Sequence, residues 1–240
     1  MTDTTRKQSV FEICKRVLAS SGLPVPTAIA GNPDALAVQL LALLNEEGQD
    51  LLQYNWKFLE KTYALATVPG TLEYSLPSDF DRWLADTDWN TTTRLPLVQM
   101  DSRQWAVLNA TTLGSTTFQL QYQLTGDKIR FYQVPSTAQN LQIAYRSRGW
   151  VATNTGSTYK DNADANDDIV QYNSNLMVAC LKHALRREKG FDTTATKEKY
   201  EAALASALNA EILGETLYLR APRGGLIDTF TNLPETGLGS

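Results

Sequence analysis

The hydrophobic pattern of this chain changes period twice along its length. Near each end, apolar residues recur at helical spacing; through the middle they alternate with polar ones. Helical spacing buries one stripe of a helix, and alternation buries one face of a strand. A chain that reads helix, strand, helix is confined to an α+β fold with the strands inserted between helices.

Ser9-Val10-Phe11-Glu12 has the spacing of a capping box, in which hydroxyl and carboxylate satisfy unpaired amides at a helix start. Val10, Ile13, Cys14, Val17 and Leu18 follow on one helical face, and Gly22 supplies a stop. Leu23 to Gly31, with two prolines, reads as a loop. Asn32-Pro33 is expected to open a second helix, whose apolar side runs Leu36, Leu40, Leu43, Leu44, Leu51, Leu52. Gly48 inside that helix costs about 1 kcal/mol relative to Ala, which predicts close packing against a neighbour.

Thr62 to Val68 and Leu72 to Leu76 flank Pro69-Gly70 and predict a hairpin. Arg94 to Met100 reads as extended and Asp101 to Ala110 as a short helix. Phe118, Leu120, Tyr122 and Leu124 alternate up to Thr125-Gly126-Asp127, after which Ile129 and Phe131 complete a second hairpin. Leu141, Ile143 and Tyr145 mark a further strand. The helical period returns at Ile169, with Asp167 or Asp168 as the cap and Val170, Met177, Cys180, Leu181, Ala184 and Leu185 as the apolar face. Arg186, Arg187 and Lys189 complement the dipole of its last turn, and Gly190 ends it. Asp192 or Thr194 opens a fourth helix with Tyr200, Leu204, Ala207, Leu208 and Ile212 on one face. The predicted architecture is an antiparallel bundle of about four helices (residues 1–61 and 165–215). It carries an inserted antiparallel β lobe or small barrel (62–164) and an extended C-terminal tail (216–240).

The charge balance, 22 Lys plus Arg against 26 Asp plus Glu, leaves −4. Avid nucleic-acid binding needs a concentrated basic face, so this balance argues against it. The polar start, Met1 to Gln8, has no secretory leader, and no apolar run is long enough to span a membrane. Folding in a reducing cytoplasm is the expectation. Cys14 and Cys180 read as small apolar residues of helices rather than as a disulfide framework.

Candidate chemistry is sparse, and no cofactor or metal motif is present. The acidic run from Asp161 to Asp168 fails as a calcium loop: its sixth position is Asn166 rather than Gly and its twelfth is Tyr172 rather than Glu. It reads as a solvated loop ending in a helix cap. His183, beside Lys182, has no orienting carboxylate or nucleophile in any sequence pattern and reads as structural. Asp79, Asp81 and Asp86 are the only cluster to nominate for the acid-base pair of a hydrolase or lyase. Arg146 and Arg148, beside Tyr145 and Trp150, form the only basic-aromatic patch for a nucleic-acid module. The tryptophans (Trp56, Trp83, Trp89, Trp105, Trp150) fall at junctions and read as core anchors or subunit-interface residues. Leu219, Leu226 and Phe230 make the tail too apolar for an inert linker, which predicts docking in extended form on another protein.

Several short motifs in a distinctive order resemble the head-to-tail adaptor proteins of tailed bacteriophages, relatives of the tail tubular protein A of short-tailed phages. They are Asn55-Trp56-Lys57-Phe58-Leu59, Tyr74-Ser75-Leu76-Pro77-Ser78-Asp79-Phe80, Trp105 after Leu95-Pro96-Leu97, Tyr145-Arg146-Ser147-Arg148-Gly149-Trp150-Val151, and the acidic loop. The resemblance covers roughly residues 9–215. It implies a non-enzymatic virion protein forming a homo-oligomeric ring, usually of twelve subunits, beneath the portal protein. Its β lobe would meet the next tail component, a nozzle or a tube, and viral DNA would pass passively through the lumen. The C-terminal extension would insert into the portal, with Leu219, Leu226 and Phe230 as apolar anchors and Arg220 and Arg223 paired with acidic portal groups. Trp83, Trp89, Trp105 and Trp150 would face the tail component or the neighbouring subunit.

Overall fold

The computed structural model describes residues 7–110, 119–133, 135–156 and 158–212. It is a mixed α+β structure. Its helices are α1 (Val10–Ser20), α2 (Ala35–Asp50), α3 (Ser102–Ala110), α4 (Ser174–Glu188) and α5 (Thr194–Ile212). Its strands are β1 (Glu60–Ala66), β2 (Glu73–Ser75), β3 (Phe80–Trp83), β4 (Trp89–Asn90), β5 (Leu95–Pro96), β6 (Val98–Gln99), β7 (Gln121–Thr125), β8 (Lys128–Phe131), β9 (Asn140–Ser147), β10 (Val151–Ala152), β11 (Tyr159–Lys160) and β12 (Ile169–Val170).

Local signals act as expected at several helix ends. The Ser9 hydroxyl accepts from Glu12 N at 3.3 Å and caps α1. The Glu12 carboxylate turns to Lys15 at 3.7 Å. Gly22 (φ 69°) and Gly190 (φ 70°) adopt the left-handed conformation that stops α1 and α4. Two starts lie elsewhere than predicted. α2 begins at Ala35, because Asn32 Oδ1 accepts from Asp34 N at 3.0 Å and holds Asn32-Pro33 as a turn ahead of the helix. α4 begins at Ser174 with Asn173 as its cap, since Ile169 and Val170 are drawn into pairing with β10. Asp167 and Asp168 therefore cap no helix.

The strands form three sheets: β1-β9-β4-β5 with β3 also on β9, β11-β10-β12, and β2-β8-β7-β6. All pairs are antiparallel except β6 with β7. This pairing order is open among the described residues, so the antiparallel alternative holds and the closed barrel is not formed. The hairpin around Gly126 is present, with Thr125 opposite Lys128. The predicted hairpin at Pro69-Gly70 is not. There the chain turns, with Thr71 N donating to Val68 O at 3.1 Å, but β1 pairs with β9 and β2 with β8. The turn passes the chain from one sheet to another.

Two hydrophobic cores result. α1, α2, α4 and α5 contribute to the first, and Trp150, Val151, Ala163, Val170 and Tyr172 join them. The helices thus do not pack on one another alone, as a pure bundle would. The second core is built from Leu65, Leu97, Tyr122, Ile129, Phe131, Leu141 and Ile143. β9 spans both regions: Leu141 and Ile143 belong to the second core, while Arg146 and Ser147, also buried, lie at its far end. Helix α3 buries no residue and sits with the β part, where Tyr132 OH donates to Leu108 O at 3.0 Å.

Gly48 explains itself in the first core. A Cβ built there would lie 2.6 Å from Trp150 Cε2, far inside van der Waals contact. Trp150 is fully buried, stacked on Tyr172 at 5.8 Å, and donates through Nε1 to Asp161 O at 2.7 Å. Gly48→Ala should destabilise the protein by about 1–3 kcal/mol by overpacking, despite its higher helix propensity. In a Trp150→Leu background, itself destabilised, the same change should become neutral or stabilising. Denaturant unfolding of the four variants checks this, and an unchanged Gly48→Ala cost in both backgrounds refutes the contact.

Candidate functional site

The acidic segment is solvated only in part, with Asn162, Asp164 and Asp167 exposed, and it does not cap α4. The Asp168 side chain is almost fully buried; its carboxylate accepts from Lys160 Nζ at 2.8 Å, Asp164 N at 3.1 Å and Ala165 N at 3.0 Å. Burial by itself would push this carboxyl up; the Lys160 ammonium and the two backbone N–H groups outweigh it and hold the group below the ordinary carboxylate range. Lys160 also bonds Asp164. The loop backbone then serves its neighbours. Val10 N and Phe11 N, unpaired donors of the first turn of α1, donate to Asp168 O and Asn166 O at 2.8 and 3.1 Å. Asn166 Oδ1 accepts from Ile29 N and Ala30 N, and Asn45 bonds both N and O of Ala163. The segment is a staple joining α1, the 23–31 loop and α2. No metal-holding group of His, Cys, Asp and Glu occurs among the described residues.

The hydrolase cluster does not converge either. Asp79 accepts from Lys61 Nζ (2.6 Å), Ser147 Oγ (2.7 Å) and Tyr145 OH (2.8 Å). Burial raises its carboxyl, and these donors more than reverse that, holding it below its usual range. A carboxylate so held is a poor proton donor near neutrality. Asp81 pairs with its neighbour Arg82 at 3.1 Å, and Asp86 lies exposed in a left-handed turn (φ 59°). The basic-aromatic patch is dismantled as well. Arg146 is buried, bonding Asn55 and, at 3.3 Å, Glu60, while Arg148 pairs with Asp161 and Ser78 O. His183 stacks on Tyr200 at 5.9 Å, a structural position. Cys14 and Cys180 are free and buried; burial pushes the Cys14 thiol up to about 12, and burial with Glu47 pushes Cys180 up. Both are inert thiols at neutral pH.

The tryptophans divide. Trp56 and Trp150 are core residues of the helical part. A side chain with no exposed surface has none to offer another subunit, so Trp150 leaves the interface set. Trp83 is half-buried among Tyr63, Phe80 and Tyr145. Trp105 on α3 packs edge-on against Tyr132 with Arg130 over its ring. Trp89 is 47% exposed and is the one of the set open to a partner over half its surface or nearly so. Leu219, Arg220, Arg223, Leu226 and Phe230 lie outside the described residues, as does Phe118. What sequence reasoning missed is a basic groove on the helical part, rimmed by Lys182, Arg186, Lys189 and Lys199. The signal was available: Lys182, Arg186 and Lys189 recur at the spacing of one helix face.

Fold and packing together define an α+β protein of two hydrophobic cores. The family described as SU10 adaptor protein matches residues 14–224, across both cores, and the chain belongs to it. That membership places it with phage structural adaptor proteins; a particular similarity to tail tubular protein A is not shown by it. No curated protein matches the chain. Among the described residues no helix is long and apolar enough to cross a membrane.

In such a protein Asp168 is a residue of the fold, and its titration should show in stability. A carboxylate held below its unfolded value stabilises fully above the unfolded pKa, near 4, and loses that contribution as pH falls through the lower folded value. Asp168→Asn should therefore lower stability at pH 7 by about 3 kcal/mol and flatten the fall in stability below about pH 4. Denaturant unfolding at pH 7 and pH 3 checks both; a variant as acid-sensitive as the parent contradicts the assignment.

Proposed function

We propose that this protein is a non-enzymatic adaptor of a tailed-phage virion, placed between the portal and the downstream tail component. The observation that carries the reading is the family match, which runs through the helical core, the β core and the seam between them. Asp79 supports it from the side of chemistry: the aspartate of the Tyr-x-Leu-Pro-x-Asp-Phe motif is held as an ion-paired strut between β1 and β9, not as a reactive acid. The cores suit a division of contacts, with the helical part toward the head and neighbouring copies and the β part toward the nozzle or tube.

In this proposal the subunits close a ring, usually of twelve, through a contact between two different patches, since such a contact closes when its rotation divides the circle. The tail, residues 216–240, docks on the portal in extended form, Leu219, Leu226 and Phe230 entering apolar pockets and Arg220 and Arg223 meeting acidic groups. A subunit charge of −4 disfavours adhesion of DNA to the lumen, so the genome slides past. No cofactor enters this role.

A chain truncated after Glu215 should stay folded, with a thermal transition within a few degrees of the parent, yet fail to attach to portal-containing heads. Co-sedimentation with such heads measures attachment. Normal attachment of the truncated chain removes the docking claim, and failure of the full chain to attach removes the adaptor reading.

A further inference from the structure

A groove in the helical part carries charge opposite to that of the whole chain. It lies where the end of α1, the start of α2, the length of α4 and the start of α5 meet, with a volume of about 810 Å³. That is within the roughly 300–1,000 Å³ of small-molecule pockets and ample for an aromatic side chain with its flanks. Leu23, Leu36, Val178, Leu185 and Phe191 make it apolar. Phe191 is 63% exposed, the most exposed large hydrophobic side chain among the described residues. Lys182, Arg186, Lys189 and Lys199 rim it, and among the described residues no Asp or Glu lines it. Asp192, next to Phe191, accepts from Thr194 N and Oγ1 at 3.0 and 2.8 Å and offsets part of the charge of Arg186. Four cations around an exposed apolar floor, in a chain of net charge −4, suit an insert that is aromatic and acidic.

The β part presents such an insert. Trp89 stands 47% exposed on β4, a two-residue strand held between β9 and β5 through its pairings with Gln142 and Pro96. Exposed Asp86 lies three residues before it, while half-buried Asp88 turns inward and accepts from the Tyr122 hydroxyl. Among the described residues none of the β part lines the groove, and Trp89 belongs to neither core. We infer that Trp89 of one copy seats in the groove of a second copy, with Asp86 facing Lys182, Arg186, Lys189 and Lys199. Insert and groove are different patches on different parts of the chain, so the contact is heterologous and propagates from copy to copy. The inference rests on the adaptor reading in taking the neighbour to be another copy of this chain. It gives the ring its lateral bond.

Complementation between two defective variants tests it. Trp89→Ala keeps the groove and lacks the insert, while Lys182→Glu with Arg186→Glu keeps the insert and lacks the groove. Sedimentation velocity of the full chain over rising concentration should show self-association, weakened about 30-fold or more in either variant. An equimolar mixture of the two should form heterodimers and stop there, because each pair holds one intact contact and no second. Unchanged circular dichroism and thermal transitions establish that the variants are folded. The contact is overturned if the mixture stays monomeric, if either variant associates like the parent, or if the parent itself stays monomeric. Attachment to portal-containing heads, measured in parallel, separates the two readings: a parent that attaches but does not self-associate loses this contact and keeps the adaptor role. Binding of a portal or tail protein that survives Trp89→Ala and is lost in the groove variant assigns the groove to that partner and overturns the self-contact.

Discussion

Trp150 pressed against the bare backbone of α2 at Gly48 is the contact on which the two halves of the molecule depend. The indole occupies the space a side chain at Gly48 would need, and Tyr172, stacked on it, donates its hydroxyl to Gly48 O at 3.0 Å. Trp150 O in turn accepts from Gln171 N at 2.9 Å, and its Nε1 fixes Asp161 O. One residue thus ties α2, the acidic staple and the strand pair β10-β12, directly after β9 has left the second core. A large aromatic buried with its polar atom satisfied is worth several kcal/mol, so the orientation of β9 is inherited by everything that packs on it.

Around that contact the two cores meet through a polar seam rather than a continuous apolar one. Arg146, buried at the end of β9, reaches Asn55 and Glu60, and Arg82 on β3 donates to Leu52 O at 3.1 Å beyond the end of α2. Asp79 gathers Lys61, Tyr145 and Ser147 a short way along the same strand. Buried charges of this kind are costly unless every partner is in place, which makes such a seam more specific than it is strong. In the proposed adaptor, a seam that tolerates one geometry would serve better than a greasy interface that tolerates several.

Charge is likewise segregated. The chain is acidic overall, its β part displays Asp86 near an exposed indole, and its helical part gathers four cations around a hollow. Opposed patches on separate parts favour association in one direction over face-to-face pairing, in which like charges would meet.

The sequence by itself determined the kinds of element and many of their ends. Helical and alternating periods, the Ser9 cap, the Gly22 and Gly190 stops and the Gly126 hairpin depend on neighbours a few positions away. It even marked Gly48 as a place of close approach, because a glycine inside a helix needs a reason. Tertiary structure alone decided which strand pairs with which: Glu60 lies opposite Arg146, and no local rule carries a signal across that separation. For the same reason the Pro69-Gly70 turn separates two sheets instead of closing a hairpin, and Val170 became strand rather than helix. Asp168, expected on the surface, is buried because its satisfying donors come from a fold-back of its own loop onto Lys160. The tryptophans looked alike in sequence, and only packing separated Trp150, with no surface left, from Trp89, with nearly half of its own in water. Burial is a property of everything that surrounds a side chain, and that surrounding is assembled from residues the local pattern never brings together.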